Sequence, residues 1–265
     1  MKELLVTPEF WIPAFAGMTI LLAGCSSEFN PATGRQEVLM YGDEKEKSIG
    51  ASAALQVEKT MKIDNEVDVN ERAERILKKI AAVCDRKDIV YTIRVIDDAV
   101  MNAFSLPGGY VYVYKGLMDR IKSDDQMAGV IAQEVGHITA KHALKRLQGS
   151  YGAMVLEGAA IASRQGNIAA GVGLAADSIL FQNSREDELE ADRLGVRYMK
   201  RAGYDPSQMR AMLGKLLDHQ MKEPLRPFSY WRTHPYIPQR MAKAEEEAKG
   251  AAEFRDYLNI TGEQK

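Results

Sequence analysis

The residues with the clearest chemical potential lie in the stretch Gln133-Glu134-Val135-Gly136-His137. On a helix, Gln133 and His137 are four residues apart and share one face, and Glu134 lies beside them. This is the spacing of the H-E-x-x-H zinc motif, in which two histidines bind the metal and the glutamate acts on the bound water. Gln133 stands where that motif has its first histidine. By itself, such a string is more often a polar stripe on a half-buried helix.

A later acidic pair supplies the third protein ligand that a zinc site needs. Glu188 and Asp192 are four residues apart, so they share one face of a predicted helix. One carboxylate can bind the metal while the other orients a metal ligand from behind. An acidic helix alone is usually a solvated surface, but together with the first motif it completes a candidate metal site.

Several segments, occurring in this order, identify a family. The chain resembles family forty-eight of the metallopeptidases, which includes CAAX prenyl endopeptidases, heat-shock membrane metalloproteases and periplasmic lipoprotein proteases. The resemblance covers about residues 30–240. It is carried by residues 102–109, the Gln133 motif, residues 184–192, and Thr233-His234-Pro235 with Arg240.

This resemblance implies a zincin-like α+β fold, mostly helical, with a small sheet beside the active-site helix. It also implies one Zn²⁺ per chain, held by His137, Glu188 and the residue at position 133. Glu134 matches the general base of the family. Asp192 matches a carboxylate that orients a metal ligand without binding the metal itself.

The resemblance further implies a cleft for extended polypeptide substrates. Asn102, Ala103 and Phe104 match its edge strand, to which a substrate adds through main-chain hydrogen bonds. Arg240 is expected to bind substrate as well. His234 matches a histidine near the metal, and two roles remain open for it: steadying the oxyanion or occupying the open coordination position.

Gln133 is the main departure from the family pattern. A carboxamide oxygen binds zinc more weakly than an imidazole nitrogen does. The change is an engineered inactivation, a natural loss of activity, or a tolerated substitution in which His234 or Gln133 completes the metal shell. We therefore expect a zinc metalloendopeptidase that Gln133 weakens or inactivates. The alternative is a non-catalytic pseudoprotease or chaperone that binds peptides in the same cleft.

Apolar spacing predicts the elements around these motifs. Ser123 is a good N-cap for a long helix that carries the motif and reaches about residue 148. Residues 151–181 are rich in small side chains, but charged residues interrupt them, so a close-packed helix and loop is expected rather than a membrane span. The other predictions are helices over 43–61, 69–83, 185–201, 206–221 and from 238 onward, and strands over 90–96 and 110–114.

The N-terminal segment predicts a lipid anchor. An apolar run over 11–23 ends in Leu22-Ala23-Gly24-Cys25, which resembles a bacterial lipobox. We expect a signal peptide over 1–24, a lipid on Cys25, a tether over 25–42 and a metallopeptidase domain over 43–265. A short core segment with a free cysteine is the alternative. Because no acidic retention signal follows Cys25, the expected location is the periplasmic side of the outer rather than the inner membrane.

The composition excludes several other classes. With 46% apolar and 27% charged residues, the 265-residue chain belongs among globular proteins. A net charge of −2 without a basic cluster argues against nucleic-acid binding. Two cysteines are too few for a disulfide framework or a thiolate metal site. Candidate partners are an envelope assembly machine or a tetratricopeptide protein. His142 is interpreted as structural and His219 as a surface residue.

Overall fold

The computed structural model describes residues 26–150, 183–222 and 229–250. The expected signal peptide, Cys25 and the predicted helix and loop over 151–181 therefore lie outside the described residues. Within the described ranges, no helix combines the length and the apolar character that crossing a bilayer requires.

Helices dominate the described residues, and two small sheets accompany them. The strands are β1 (Ser26–Asn30), β2 (Arg35–Leu39), β3 (Thr92–Ile96), β4 (Ala103–Leu106) and β5 (Tyr110–Tyr114). The α-helices with both ends among the described residues are α1 (Asp43–Thr60), α2 (Val67–Val83), α3 (Lys115–Arg120), α4 (Asp124–Thr139), α5 (Arg185–Arg201), α6 (Gln208–Gln220), α7 (Tyr230–Thr233) and α8 (Ile237–Lys249). This is the mostly helical α+β arrangement that the sequence predicts.

The motif helix α4 is the central element of the fold. Residues 127–139 are all buried, and the Ser123 side chain caps the helix by accepting a hydrogen bond from the Gln126 backbone. Its neighbour α5 crosses it closely at Gly136, where an added Cβ would lie 2.7 Å from the Ala191 carbonyl oxygen. Glycine at this position lets the two helices approach until their side chains share one site.

The prediction of one helix reaching residue 148 is corrected by a break after α4. Lys141 adopts a left-handed φ of 56°, and residues 142–150 then form a separate helix. The break has two visible causes. The Asn30 amide donates to the Thr139 carbonyl, an acceptor that a continuous helix would use itself. The Lys141 ammonium is held by Asp43 and Glu28 at 2.9 and 3.1 Å.

A three-stranded sheet lies beside α4 in the order β3-β5-β4. β3 pairs with β5 in parallel and β4 pairs with β5 antiparallel, so β4 is an edge strand. The turn before β5 needs glycine, because Gly109 has a φ of 104° and its Cβ would lie 2.3 Å from the Val90 carbonyl oxygen. Helix α2 packs against β3 through the apolar positions that its spacing predicts: Ala73, Ile76, Leu77 and Ile80.

The expected tether over 25–42 is corrected by a β-hairpin formed from β1 and β2. Its inner side chains are buried although several are polar. Asn30 donates to Glu37 at 3.1 Å, and Thr33 donates to the other Glu37 oxygen at 2.9 Å. Lys145 forms an ion pair with Glu37 at 2.6 Å. These contacts fix the hairpin to the domain, so folded structure begins well before Asp43.

Candidate metal centre

The polar side chains of the α4 motif point into the interior. Gln133, Glu134 and His137 expose 0%, 1% and 5% of their surface. Burying polar groups is unfavourable unless they gain partners. The partners of these side chains therefore define the site.

Glu188 and His234 converge on His137 from two other elements. Glu188 lies in the first turn of α5, and His234 directly follows α7. The Glu188 Oε1 atom lies 3.3 Å from His137 Nε2 and 3.0 Å from His234 Nδ1. One ligand atom from each residue lies within 4.8 Å of the other two. The structure thus brings together His137 of the α4 motif, Glu188 of the acidic helix and His234.

Gln133 contributes a fourth polar group to the same cluster. Its Nε2 atom lies 3.0 Å from His137 Nε2, 3.1 Å from Glu188 Oε2 and 3.3 Å from His234 Nδ1. Its Oε1 atom accepts a hydrogen bond from the Tyr230 hydroxyl at 2.9 Å. The glutamine therefore reaches the position that a histidine ligand would use, but presents a hydrogen-bond donor there.

These residues fit a zinc ion. Ligands about 2.0–2.2 Å from a tetrahedral zinc are themselves roughly 3.3 Å apart. The separations of 3.0–3.3 Å around Glu188 and Gln133 match that spacing. Burial lowers the pKa of His137 to about 3, so its imidazole is neutral near pH 7 and keeps a lone pair for a metal. Two imidazoles and one carboxylate form a donor set that zinc favours.

A buried ionic cluster holds the carboxylate of Glu188. Arg240, fully buried, contacts Glu188 Oε2 at 2.6 Å and both oxygens of Asp192 at 2.7 Å. Burial alone would raise the pKa of Glu188, but Arg240 and the neighbouring histidines hold that pKa well below its usual range. Arg240 also donates to the Tyr230 hydroxyl at 3.1 Å. The expectation that Arg240 binds substrate is therefore corrected, because its guanidinium is enclosed by these partners.

Glu134 lies beside the cluster rather than within it. Its Oε2 atom accepts a hydrogen bond from the Ser105 hydroxyl at 2.9 Å. Its Oε1 atom has no hydrogen-bond partner among the described residues and lies 3.4 Å from His234 Nε2. Burial raises the pKa of this carboxyl. A carboxylate with one unengaged oxygen and a raised pKa suits a group that accepts a proton near neutral pH.

His142 has a closer relation to the centre than its sequence position suggests. Its Nδ1 atom lies 2.8 Å from His137 Nδ1, and its Nε2 atom lies 3.4 Å from Glu190 Oε2. A hydrogen bond to the second ring nitrogen commonly fixes the orientation of a metal-binding histidine. His142 thus positions His137, while His219 is half-buried and its ring packs against Trp231 away from the centre.

Asn183 is a site residue that the sequence analysis missed. Its Nδ2 atom donates to Glu188 Oε1 and lies 3.2 Å from His234 Nδ1. Its backbone N–H donates to the Thr233 carbonyl, which ties the start of α5 to the segment before His234. A polar residue directly before the N-cap Ser184 was the available signal, but that position reads as an ordinary helix start.

The residues predicted to line the cleft lie in β4 or directly before it, and β4 is an edge strand of the sheet among the described residues. Ala103 begins β4, and its carbonyl oxygen lies 3.2 Å from His234 Nε2. Phe104 is buried and stacks on Tyr112, with ring centroids 5.0 Å apart. Asn102 is buried too, and its Oδ1 atom accepts from the Thr233 hydroxyl at 3.4 Å. The Phe104 and Asn102 side chains are therefore engaged within the domain rather than exposed at this edge.

Comparison with known proteins agrees with this geometry. A model of peptidase family M48 matches residues 68–248, which include every residue of the centre. The chain belongs to peptidase family M48. The residue before Glu134, a histidine in the zinc motif of this class, is Gln133 here.

Individual M48 relatives show how much of their length the chain represents. It is 31% identical over 192 residues to the mitochondrial metalloendopeptidase OMA1 of Schizosaccharomyces pombe, covering 71% of this chain and 56% of that protein. It is 32% identical over 166 residues to the beta-barrel assembly-enhancing protease of Escherichia coli, covering 58% and 33%. It is 29% identical over 142 residues to the metalloprotease YcaL of E. coli, covering 50% and 52%. The chain thus spans about a third to just over a half of these proteins.

Proposed function

We propose that this chain is a zinc-dependent metalloendopeptidase whose activity is reduced by Gln133. The observation that carries the proposal is the convergence of His137, Glu188 and His234 on one buried point beside the Glu134 carboxylate. When bound, zinc would polarise the scissile carbonyl and activate water. Glu134 Oε1 would accept the proton of the attacking water and pass it to the leaving amine.

His234 fits a metal ligand better than an oxyanion donor in this arrangement. Its Nδ1 atom faces Glu188, while its Nε2 atom faces the Ala103 carbonyl oxygen at 3.2 Å. A metal-binding histidine typically uses its second nitrogen in this way, to donate to a carbonyl. We therefore assign His234 to the metal shell with His137 and Glu188.

Gln133 would act as a weak fourth ligand. Turning its amide group by half a turn exchanges oxygen and nitrogen, which brings Oε1 to the cluster and Nε2 to the Tyr230 hydroxyl. The hydroxyl already accepts from Arg240 and can accept a second bond from Nε2, but its own proton then loses Gln133 as its acceptor. A neutral amide oxygen binds zinc less strongly than imidazole does, so zinc affinity and the rate of hydrolysis are reduced.

The proposed substrates are extended segments of misfolded or misassembled envelope proteins. β4 is an edge strand next to the centre, and a polypeptide could pair with its main chain. The name of the E. coli relative, which links a protease to beta-barrel assembly, supports a substrate of this type. An envelope assembly machine or a tetratricopeptide protein is the proposed recruiting partner.

The proposed location is the periplasmic side of a bacterial membrane, with the chain anchored by a lipid on Cys25. The lipobox-like Leu22-Ala23-Gly24-Cys25 supports the anchor. Ser26, which follows Cys25, is not an acidic retention signal and therefore supports the outer rather than the inner membrane. Mass spectrometry of the mature N-terminus tests this part, and an unmodified Cys25 thiol would rule it out.

A second candidate function is a peptide-binding protein without activity, and Gln133 is the observation that favours it. Metal analysis of protein purified without chelator, followed by casein cleavage with and without phenanthroline, separates the two candidates. A weakened enzyme gives less than one zinc per chain and slow cleavage that phenanthroline stops. A pseudoprotease gives no cleavage at any zinc concentration.

Gln133→His is the sharper test. We expect the variant to retain a full equivalent of zinc after dialysis and to cleave casein at least about tenfold faster. Even residues that only hydrogen-bond to metal ligands change metal affinity or activity by that factor. Gln126→His is the matched control, because Gln126 lies on the same helix and bonds to Gln208 outside the centre. No change in zinc content or cleavage with Gln133→His would mean that this helix is not the metal site.

A further inference from the structure

The two faces of the β1-β2 hairpin differ in character. One face turns inward and carries Asn30, Glu37 and Leu39, all of which are buried. The other face turns outward and carries Phe29 and Val38, which expose 52% and 67% of their surface. Strand residues alternate between the faces of a sheet, and the pairs Phe29↔Gln36 and Ser27↔Val38 place both apolar side chains on the same side.

The hairpin is attached to the rest of the domain at both ends. Asn30 donates from its side chain to the Thr139 carbonyl at 3.0 Å, a bond that is buried. At the other end of β2, Gln148 accepts from the Met40 backbone at 2.9 Å. Both ends of the hairpin are therefore held, and the outer apolar face has a fixed direction relative to α4.

The position of Cys25 supplies the second observation. It directly precedes Ser26, and Ser26 is paired with Leu39 at the start of the hairpin. One residue of extended chain spans at most about 3.6 Å. A lipid on Cys25 therefore enters the membrane next to the hairpin, and no flexible tether separates the bilayer from the exposed side chains.

We infer that the outer face of the hairpin, formed by Phe29 and Val38 with the neighbouring Met40, docks on the lipid bilayer. This inference rests on the proposed anchor at Cys25. The apolar side chains add a protein contact to the acyl chains, and contact with apolar lipid is favourable for exposed apolar groups. Because the inner face binds Thr139, the C-terminal end of the motif helix faces the membrane.

Tryptophan fluorescence tests the contact. The mature chain, residues 25–265, is coupled through Cys25 to a maleimide lipid in vesicles of phosphatidylethanolamine and phosphatidylglycerol that contain brominated acyl chains. Cys84 is buried and should not couple, which a Cys25→Ser variant checks. Trp231 is buried too, so its emission is subtracted using the parent chain.

The probes are Phe29→Trp and Val38→Trp, and the matched control is Val90→Trp at an apolar position that exposes 80%. We expect both hairpin probes to lose most of their emission to the bromine atoms and to shift to shorter wavelength, with the control unchanged. Equal quenching at hairpin and control positions, or none at the hairpin, overturns the inference. A concentration-dependent shift of the hairpin probes without vesicles overturns it too, since a second copy would then cover the face.

The chemical coupling keeps this test separate from the anchor itself. Quenching at the hairpin is measured whether or not a cell attaches a lipid to Cys25. The anchor is judged only by the mass of the mature N-terminus. A quenched hairpin on a chain that cells leave unmodified would show a membrane-binding face without a lipid anchor.

Discussion

Arg240 neutralises two buried carboxylates of the centre, Glu188 and Asp192. Its guanidinium also donates to the Tyr230 hydroxyl, which in turn donates to Gln133. One cation therefore orients both Glu188, the proposed acidic metal ligand, and Gln133. A charge in this position belongs to the framework of the site rather than to substrate recognition.

Arg240→Met should destabilise the protein strongly. Removing the cation leaves two buried carboxylates without a partner, which costs about 3–5 kcal/mol. Urea unfolding measures the loss. Arg210→Met is the control, because Arg210 pairs with Glu245 at the surface and such pairs contribute at most about 1 kcal/mol. Unchanged stability together with a raised KM would show instead that Arg240 binds substrate.

His142→Phe should weaken zinc binding about 10–100-fold, because the ring keeps its volume but loses the hydrogen bond to His137. Competition with a chromophoric chelator measures the affinity. His219→Phe is the matched control and should leave zinc affinity unchanged. An unchanged affinity in folded His142→Phe protein would show that His137 needs no such support.

Among the elements, the crossing of α4 and α5 sets the separation of the proposed metal ligands His137 and Glu188. The contact is closest where Gly136 meets Ala191. His137 is the next residue on one helix, and Glu188 lies one turn before Ala191 on the other. Any change in this crossing therefore changes the distance between the imidazole and the carboxylate.

Gly136→Ala should cost about 1–3 kcal/mol, because a methyl group 2.7 Å from a backbone oxygen forces the helices apart. Zinc affinity should fall with it. Gly149→Ala is the control, since nothing lies within 4 Å of its added Cβ and alanine favours a helix by up to about 1 kcal/mol. Thermal unfolding and zinc titration of both variants check the pair. If Gly136→Ala binds zinc as tightly as the parent chain does, the helix crossing does not determine the distance between His137 and Glu188 that zinc binding needs.

Sequence patterns predicted the elements whose apolar residues repeat at a fixed period. The buried face of α2 follows from that period, and β5 is a strand as its sequence predicts, although it is buried on both faces. The motif around Glu134 and His137, taken together with the later Glu188–Asp192 pair, anticipated that two helices meet. The β1-β2 hairpin escaped prediction because Asn30 and Glu37 bury polar rather than apolar side chains.

The break in the motif helix and the role of Asn183 were hidden for similar reasons. A lysine with a left-handed φ has no sequence signature, and the bond that ends α4 comes from Asn30, far away in the chain. Asn183 and His142 act on residues that only tertiary packing brings close to them. Local patterns carry no information about such partners.

Over the molecule as a whole, the polar groups of the centre also bind one another. The Gln133 and Asn183 amide groups already contact Glu188 and the two histidines. The large apolar core around α4 does not depend on an ion either. Folding should therefore be independent of zinc, in contrast to small domains that fold only when metal binds.

Chelation should consequently change the Tm of the parent chain very little. In Gln133→His, zinc at a hundredfold excess over its Kd should stabilise by about 2.7 kcal/mol and raise Tm by roughly 5–10 °C. Calorimetry with and without chelator compares the two proteins. Loss of far-ultraviolet circular dichroism when the parent chain is chelated at room temperature would contradict this expectation.

The enclosure of Gln133 by Tyr230, His137 and Glu188 also has a genetic consequence. Glutamine and histidine codons differ only in the third base. Because every other group around the side chain is still held in place, a single nucleotide change could supply the missing imidazole without any compensating mutation. Selection for proteolysis should therefore recover Gln133→His, a one-base change, before it recovers changes elsewhere.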